Sequence, residues 1–142
     1  MGLSISAYTN IDPGPVGTTC YPVFAAINGG RCPVVNIVLD CTSWNVGATY
    51  LNHAAFLGRG GGSIIEIAAG KGADAAGYGQ GIISADGGLV NAFEVVLDDF
   101  GTNIYATSGG RVEAYNADLQ NASIGMYASY GGVINARHTT LN

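Results

Sequence analysis

Three Gly-Gly pairs, Gly87-Gly88, Gly109-Gly110 and Gly131-Gly132, follow one another at intervals of 22 residues in a chain of 142. Counting the first glycine of each pair as position one, whole columns agree. Position four reads Val90, Val112, Ile134; position six reads Ala92, Ala114, Ala136; position eleven reads Leu97, Leu119, Leu141. Ile82, Ile104 and Met126 share position eighteen, and Ser84, Ala106 and Ala128 share position twenty. Self-similarity at a fixed period of this length marks a solenoid, in which a repeat buries its apolar face only against its neighbours.

Inside one repeat the apolar columns fall at four and six, nine and eleven, eighteen and twenty, with polar or aromatic residues between them. Alternation of that kind belongs to strands, whose successive side chains point to opposite faces. Three short strands with one inward face predict an all-β, right-handed parallel β-helix of about five 22-residue coils over residues 23–142. A left-handed hexapeptide helix would instead repeat at about 18 residues with an aliphatic every six. The glycines mark a corner, where positive φ is needed and Gly adopts it at little steric cost. Small Ala at six and twenty implies a narrow interior, with Leu at eleven filling the remainder.

The phase extends upstream. With Gly29-Gly30 as a corner, Cys32, Val34, Ile37 and Leu39 take the inward columns, followed by Val46 and Ala48 and preceded by Phe24 and Ala26. Trp44 falls between columns, on an outer face. Gly61-Gly62 is the next corner, with Phe56 and Gly58 before it and Ile64 at four, but Glu66 then falls at inward position six. A one-residue shift would turn Ile65 and Ile67 inward instead. The corner spacings here, 32 and 26 residues, require loops, expected at Leu51–Ala55 and in the Gly-rich Gly70–Gln80. Residues 1–22, with Asp12-Pro13-Gly14-Pro15, read as a cap or an arm. The last coil begins at Gly131 with Leu141 inward and no cap after it, so another subunit or further chain is expected to cover it.

Composition narrows the function. Charged residues are 11% of the chain, against roughly 25% in ordinary globular proteins. A net charge of −5 argues against nucleic acid, and no apolar run approaches the ~18 residues of a membrane span. The N-terminus shows no signal-peptide pattern. Cys20, Cys32 and Cys41 are odd in number and lack CxxC spacing, so neither a disulfide framework nor a metal site is expected, and they suit a reducing cytoplasm. No cofactor is expected.

The stretches Ile104-Tyr105-Ala106…Gly109-Gly110-Arg111-Val112-Glu113-Ala114 and Met126-Tyr127-Ala128…Gly131-Gly132-Val133-Ile134-Asn135-Ala136 resemble β-helix repeats of bacteriophage tail fibres and tailspikes. The resemblance spans residues 24–142 and is clearest over the last 62. Similar coils occur in polysaccharide lyases and bacterial surface adhesins. It implies a homotrimer assembled in the host cytoplasm and exposed on a virion among other phage structural proteins, often recognising host surface polysaccharide. Such fibres are usually much longer, so a small capsid decoration protein is the alternative, and a polysaccharide depolymerase module a further one.

Candidate chemistry is sparse. Glycoside hydrolysis needs two carboxylates about 5–9.5 Å apart, and Glu94, Asp98, Asp99, Glu113 and Asp118 stack no two acids in one column on adjacent repeats. Asp98, Asp99 and Asn121 offer too few oxygens for calcium. His53 and His138 lack ligand-spaced partners. No catalytic residue is therefore assigned. The aromatics carry more: Tyr105 and Tyr127 share outward column nineteen, and Phe93 and Tyr115 share outward column seven. Stacked outward aromatics form either a subunit interface or a sugar platform.

Overall fold

The computed structural model describes residues 9–11, 22–35, 37–41, 54–68, 73–75 and 79–142. After β1 (Thr9–Ile11), the strands come in threes. The first set is β2 (Phe24–Ile27), β3 (Arg31–Val35) and β4 (Ile37–Cys41), and the second is β5 (Ala54–Arg59), β6 (Ile64–Ala68) and β7 (Ala73–Ala75). The third is β8 (Gln80–Ala85), β9 (Leu89–Phe93) and β10 (Val96–Asp98). The fourth is β11 (Thr102–Ala106), β12 (Arg111–Tyr115) and β13 (Asp118–Gln120), and the last is β14 (Ile124–Ala128), β15 (Val133–Arg137) and β16 (Thr140–Leu141).

Each strand pairs in parallel with its counterpart one turn away, giving three sheets: β14-β11-β8-β5-β2, β15-β12-β9-β6-β3, and β1-β4-β7-β10-β13-β16. Four turns carry the chain from β2 to β14, and the architecture is an all-β parallel solenoid. β1, within the segment expected to be a cap or an arm, is the end strand of the third sheet.

The repeat columns are the pairing register. Val112 lies between Val90 and Ile134, Ala114 between Ala92 and Ala136, Ile104 between Ile82 and Met126, and Leu119 between Leu97 and Leu141. Through the middle turns these columns are buried and form one continuous core with Phe56, Val95, Phe100 and Ala117. Phe24 and Phe56 stack inside it with ring centroids 5.9 Å apart.

The two glycines of a corner answer to different constraints. The first has positive φ (78° at Gly87, 74° at Gly109, 76° at Gly131), as does the residue before it (Asp86, Ser108, Tyr130). Two consecutive positive φ values make the tight turn closed by Gly110 N–H donating to the Thr107 carbonyl at 2.8 Å. The second glycine is needed for space, since a Cβ at Gly110 would stand 2.2 Å from the carbonyl oxygen of Ser84 in the turn below. At the earlier corner Ser63 occupies that column. Its hydroxyl donates to the Arg59 carbonyl (2.7 Å) and accepts from Gly29 N–H (2.9 Å).

That corner corrects the register read with Gly61-Gly62 as the pair. Ile65 pairs with Val90 and Ile67 with Ala92; both are buried, while Glu66 is exposed within 3.6 Å of Arg31. The shift keeps a carboxylate out of an apolar interior, where it would have no partner. Ile64 accordingly does not hold the inward column.

Two expected loops are also corrected. Ala54 and Ala55 belong to β5 and are buried, because that strand must begin there to align Phe56 with Phe24 and Ile82. Within Gly70–Gln80, Ala73–Ala75 is strand β7, bridging β4 and β10, and Gln80 opens β8. Phe56 and Gly58 take the column assigned to Val46 and Ala48; those two, with Trp44, His53 and Cys20, lie outside the described residues.

Candidate functional site

The outward aromatics form two stacked pairs on adjacent sheets. Phe93 and Tyr115 project from β9 and β12 with centroids 5.2 Å apart and planes 8° from parallel. His138 meets the Tyr115 ring edge-on at 5.6 Å. Tyr105 and Tyr127 project from β11 and β14 with centroids 5.3 Å apart and planes at 18°. In-register parallel pairing forces identical columns to stack about one strand spacing apart, which places rings at offset-stacking distance. Phe93 (42% exposed), Tyr115 (39%) and Tyr127 (49%) all face solvent. The tyrosine column differs along its length: Leu57 and Ile83, beneath Tyr105 in the same column, are buried in a small second cluster with Ala54 and Ala85.

Beside the Phe93–Tyr115 pair runs the outward column Asn91, Glu113, Asn135. Glu113 Oε1 accepts from Asn135 Nδ2 at 2.9 Å and from Arg111 Nε. Two of the other acids, Asp98 and Asp118, are likewise held by amides of the next turn. Asp98 accepts from Asn121 Nδ2 (2.8 Å), and Asp118 from Asn142 Nδ2 (3.1 Å) and Gln120. Glu94, Asp99, Asn116, Asn121 and His138 have positive φ and are corner residues, a role their outward polar columns did not reveal. Asn tolerates this conformation best, because its short amide can bond locally. Among the described residues no three His, Cys, Asp or Glu side chains gather as a metal site. Burial pushes the Cys32 thiol above its ordinary pKa, which favours the inert, protonated form.

The C-terminal turn presents a second surface. Met126 and Ile134 are half-buried there, Ala128 and Ala136 are exposed, and Leu141 is 56% exposed, although all five occupy inward columns. The inward assignment made for these residues from the sequence therefore holds for direction and not for burial. A recess of about 430 Å³ opens at this end, lined by Asn103, Leu119, Ala122, Gly125, Met126, Leu141 and Asn142. Its origin is in two columns. Ala122 stands where the turn below has the buried Phe100, and Gly125 stands where it has the buried Asn103. Asn103 Nδ2 donates to the Gln120 carbonyl at 3.3 Å, while its Oδ1 is buried without a hydrogen-bond partner. The sequence signal for this residue is a column reading Gly81, Asn103, Gly125, a lone amide between glycines.

No family model matches the chain, and no curated protein or solved structure matches it either.

Proposed function

We propose that the chain is a non-enzymatic structural protein of the tail-fibre and tailspike type, a shaft segment exposed on a bacteriophage virion. In this reading the coil is right-handed, as nearly all parallel crossover connections are, with about five coils of 22 residues. Three copies associate side by side through the outer aromatics Phe93, Tyr105, Tyr115 and Tyr127.

The observation that carries this reading is the pair of stacked outer columns. The strands that carry Phe93, Tyr105 and Tyr115 are paired on both sides and the rings stack in pairs, so little side-chain entropy remains to be lost on contact. Exposed aromatics in a rigid array suit protein contact, where Tyr and Phe are enriched. Among the acids, Asp98, Glu113 and Asp118 are engaged by neighbouring amides.

A second reading rests on the near-parallel Phe93 and Tyr115 rings beside the Asn91-Glu113-Asn135 column. A flat aromatic face flanked by amides and a carboxylate also suits a host surface polysaccharide. Light scattering on the chain and on a Phe93→Ser/Tyr115→Ser/Tyr127→Ser variant separates the two. The substitutions cut the particle mass threefold if the columns hold a trimer. A mass unaffected by them overturns lateral association, and polysaccharide retention lost in the same variant then favours the platform.

A further inference from the structure

The corner between β5 and β6 is built differently from its neighbours. Ile27, Arg59 and Ala85 share one register position, and Arg31, Ile64 and Leu89 share another. Residues 28–30 and 86–88 join those positions in the turns on either side, whereas residues 60–63 join them here, one residue more. The flanking turns close with Gly30 N–H donating to the Ile27 carbonyl (3.1 Å) and Gly88 N–H to the Ala85 carbonyl (2.9 Å). In this one Ser63 N–H donates to the Gly60 carbonyl (3.1 Å), one residue late, and the Ser63 hydroxyl donates to the Arg59 carbonyl (2.7 Å). An added residue beside a strand re-aims the side chains around it, and such breaks in a regular pattern concentrate at sites.

The added residue changes what stands in the outer column. Asn28, Gly60 and Asp86 follow Ile27, Arg59 and Ala85, so a glycine separates an amide from a carboxylate. Gly60 has φ 87°, and a Cβ there would stand 3.1 Å from Asn28 Oδ1. A pocket of about 530 Å³ lies at this gap, within the roughly 300–1,000 Å³ of small-ligand sites. One wall is apolar, formed by the buried Leu57 and by Ile27, which is 47% exposed. The other is polar: Arg59 Nε donates to Asp86 Oδ2 at 2.8 Å, and both side chains are nearly half-exposed.

We propose that this pocket binds one neutral pyranose ring of a glycan. The lining selects that class. It carries one guanidinium and one carboxylate, so an anion would meet Asp86 and a cation would meet Arg59. A wholly apolar ligand would cover the carboxylate without a hydrogen bond, which is costly. A sugar ring has an apolar C–H face for Ile27 and Leu57 and a rim of hydroxyls that donate and accept. Asn28 and Asp86 are two turns apart, roughly 9.5 Å at the strand spacing, the width of one ring hydrogen-bonded at each end. A ring hydroxyl donates to the Asp86 carboxylate, another accepts from the Asn28 amide, and Arg59 orients Asp86. The pocket lies apart from the stacked aromatics, with Leu57 two turns below Tyr105 in its column. It stands whether those aromatics hold a trimer or a polysaccharide.

NMR on the isotope-labelled full chain tests the site, with the methyl α-pyranosides of glucose, mannose and galactose titrated into the millimolar range. At least one should give saturable shifts of the Asn28 side-chain amide and of Arg59 Nε–H. Tetrahydropyran-2-methanol, the same ring without ring hydroxyls, should shift neither. Asp86→Asn keeps a residue that tolerates the left-handed corner (φ 52°), so the fold is retained. It should weaken binding about tenfold or more, the loss of a charge-assisted hydrogen bond. Ile27→Ser strips the exposed part of the apolar wall and should weaken it about fivefold. The proposal is overturned if no glycoside shifts these resonances, if tetrahydropyran-2-methanol shifts them equally, or if neither substitution changes the affinity. The Phe93→Ser/Tyr115→Ser/Tyr127→Ser variant should bind the glycosides like wild type, so failure of either reading of the aromatics is distinguishable from failure of this one.

Discussion

At the N-terminal end of the solenoid Ala26, Val34 and Leu39 of the inward columns are buried, while Phe24 and Cys32 are only partly so. At the C-terminal end their counterparts Ala128, Ala136 and Leu141 are exposed on the same pattern of strands. The intrinsic pattern of the two turns is alike, so the difference lies in what is stacked on them. A solenoid turn acquires its core from its neighbours, so one repeat sequence gives a buried or an exposed layer according to what is stacked on it.

The largest expected contrast follows from that. Leu97→Ala in the middle of the stack removes a fully buried side chain and should cost about 2–5 kcal/mol, transfer and cavity terms together. Leu141→Ala removes the same atoms from the same column at the open end. In dilute protein its cost should stay under about 1 kcal/mol. Thermal melts measure both, and equal costs at the two sites would abolish the distinction.

The narrow column gives a smaller effect. Ala114 is buried between Ala92 and Ala136, close to Val112 and Leu119. Ala114→Leu overpacks that waist and should cost about 1–3 kcal/mol, with both neighbouring turns sharing the strain. Ala136→Leu, one turn on, should be nearly neutral, because Ala136 is exposed. An Ala136→Leu variant as destabilised as Ala114→Leu would show the end to be as closed as the middle.

Much of this fold was legible because in-register parallel pairing makes the sequence columns and the strand register the same object. Val112 over Val90 is at once a text alignment and a Cα pairing. Legibility failed where the period broke. The Gly60-Gly61-Gly62 run offers several corners, and only the placement of Glu66 outside and Ile65 and Ile67 inside chooses among them. Ala73–Ala75 was hidden because a three-residue strand carries too little alternation to stand out from the glycines around it. The aromatic stacks were visible as columns. The recess was not, since it arises from what Ala122 and Gly125 lack. Nor was the positive φ at Tyr130, since backbone sign is not written in a residue's apolar character.

The smallest effect separates the outer face from the inner one within a single strand. Glu113 lies next to Ala114 in β12, but points outward and is partly exposed. Its carboxylate accepts from Arg111 Nε and from Asn135 Nδ2. Glu113→Gln keeps an acceptor oxygen for Asn135 and gives up the ion pair. With Arg111 more than half exposed, that pair is screened by solvent. The change should therefore stay within about 0.5 kcal/mol and shrink further in high salt. A loss above about 1 kcal/mol, undiminished by salt, would mean that the Asn91-Glu113-Asn135 column holds the turns together as a hydrogen-bonded ladder. Stability would then reside on both faces of the sheet, and the contrast between a packed interior and a free exterior would not hold for this strand.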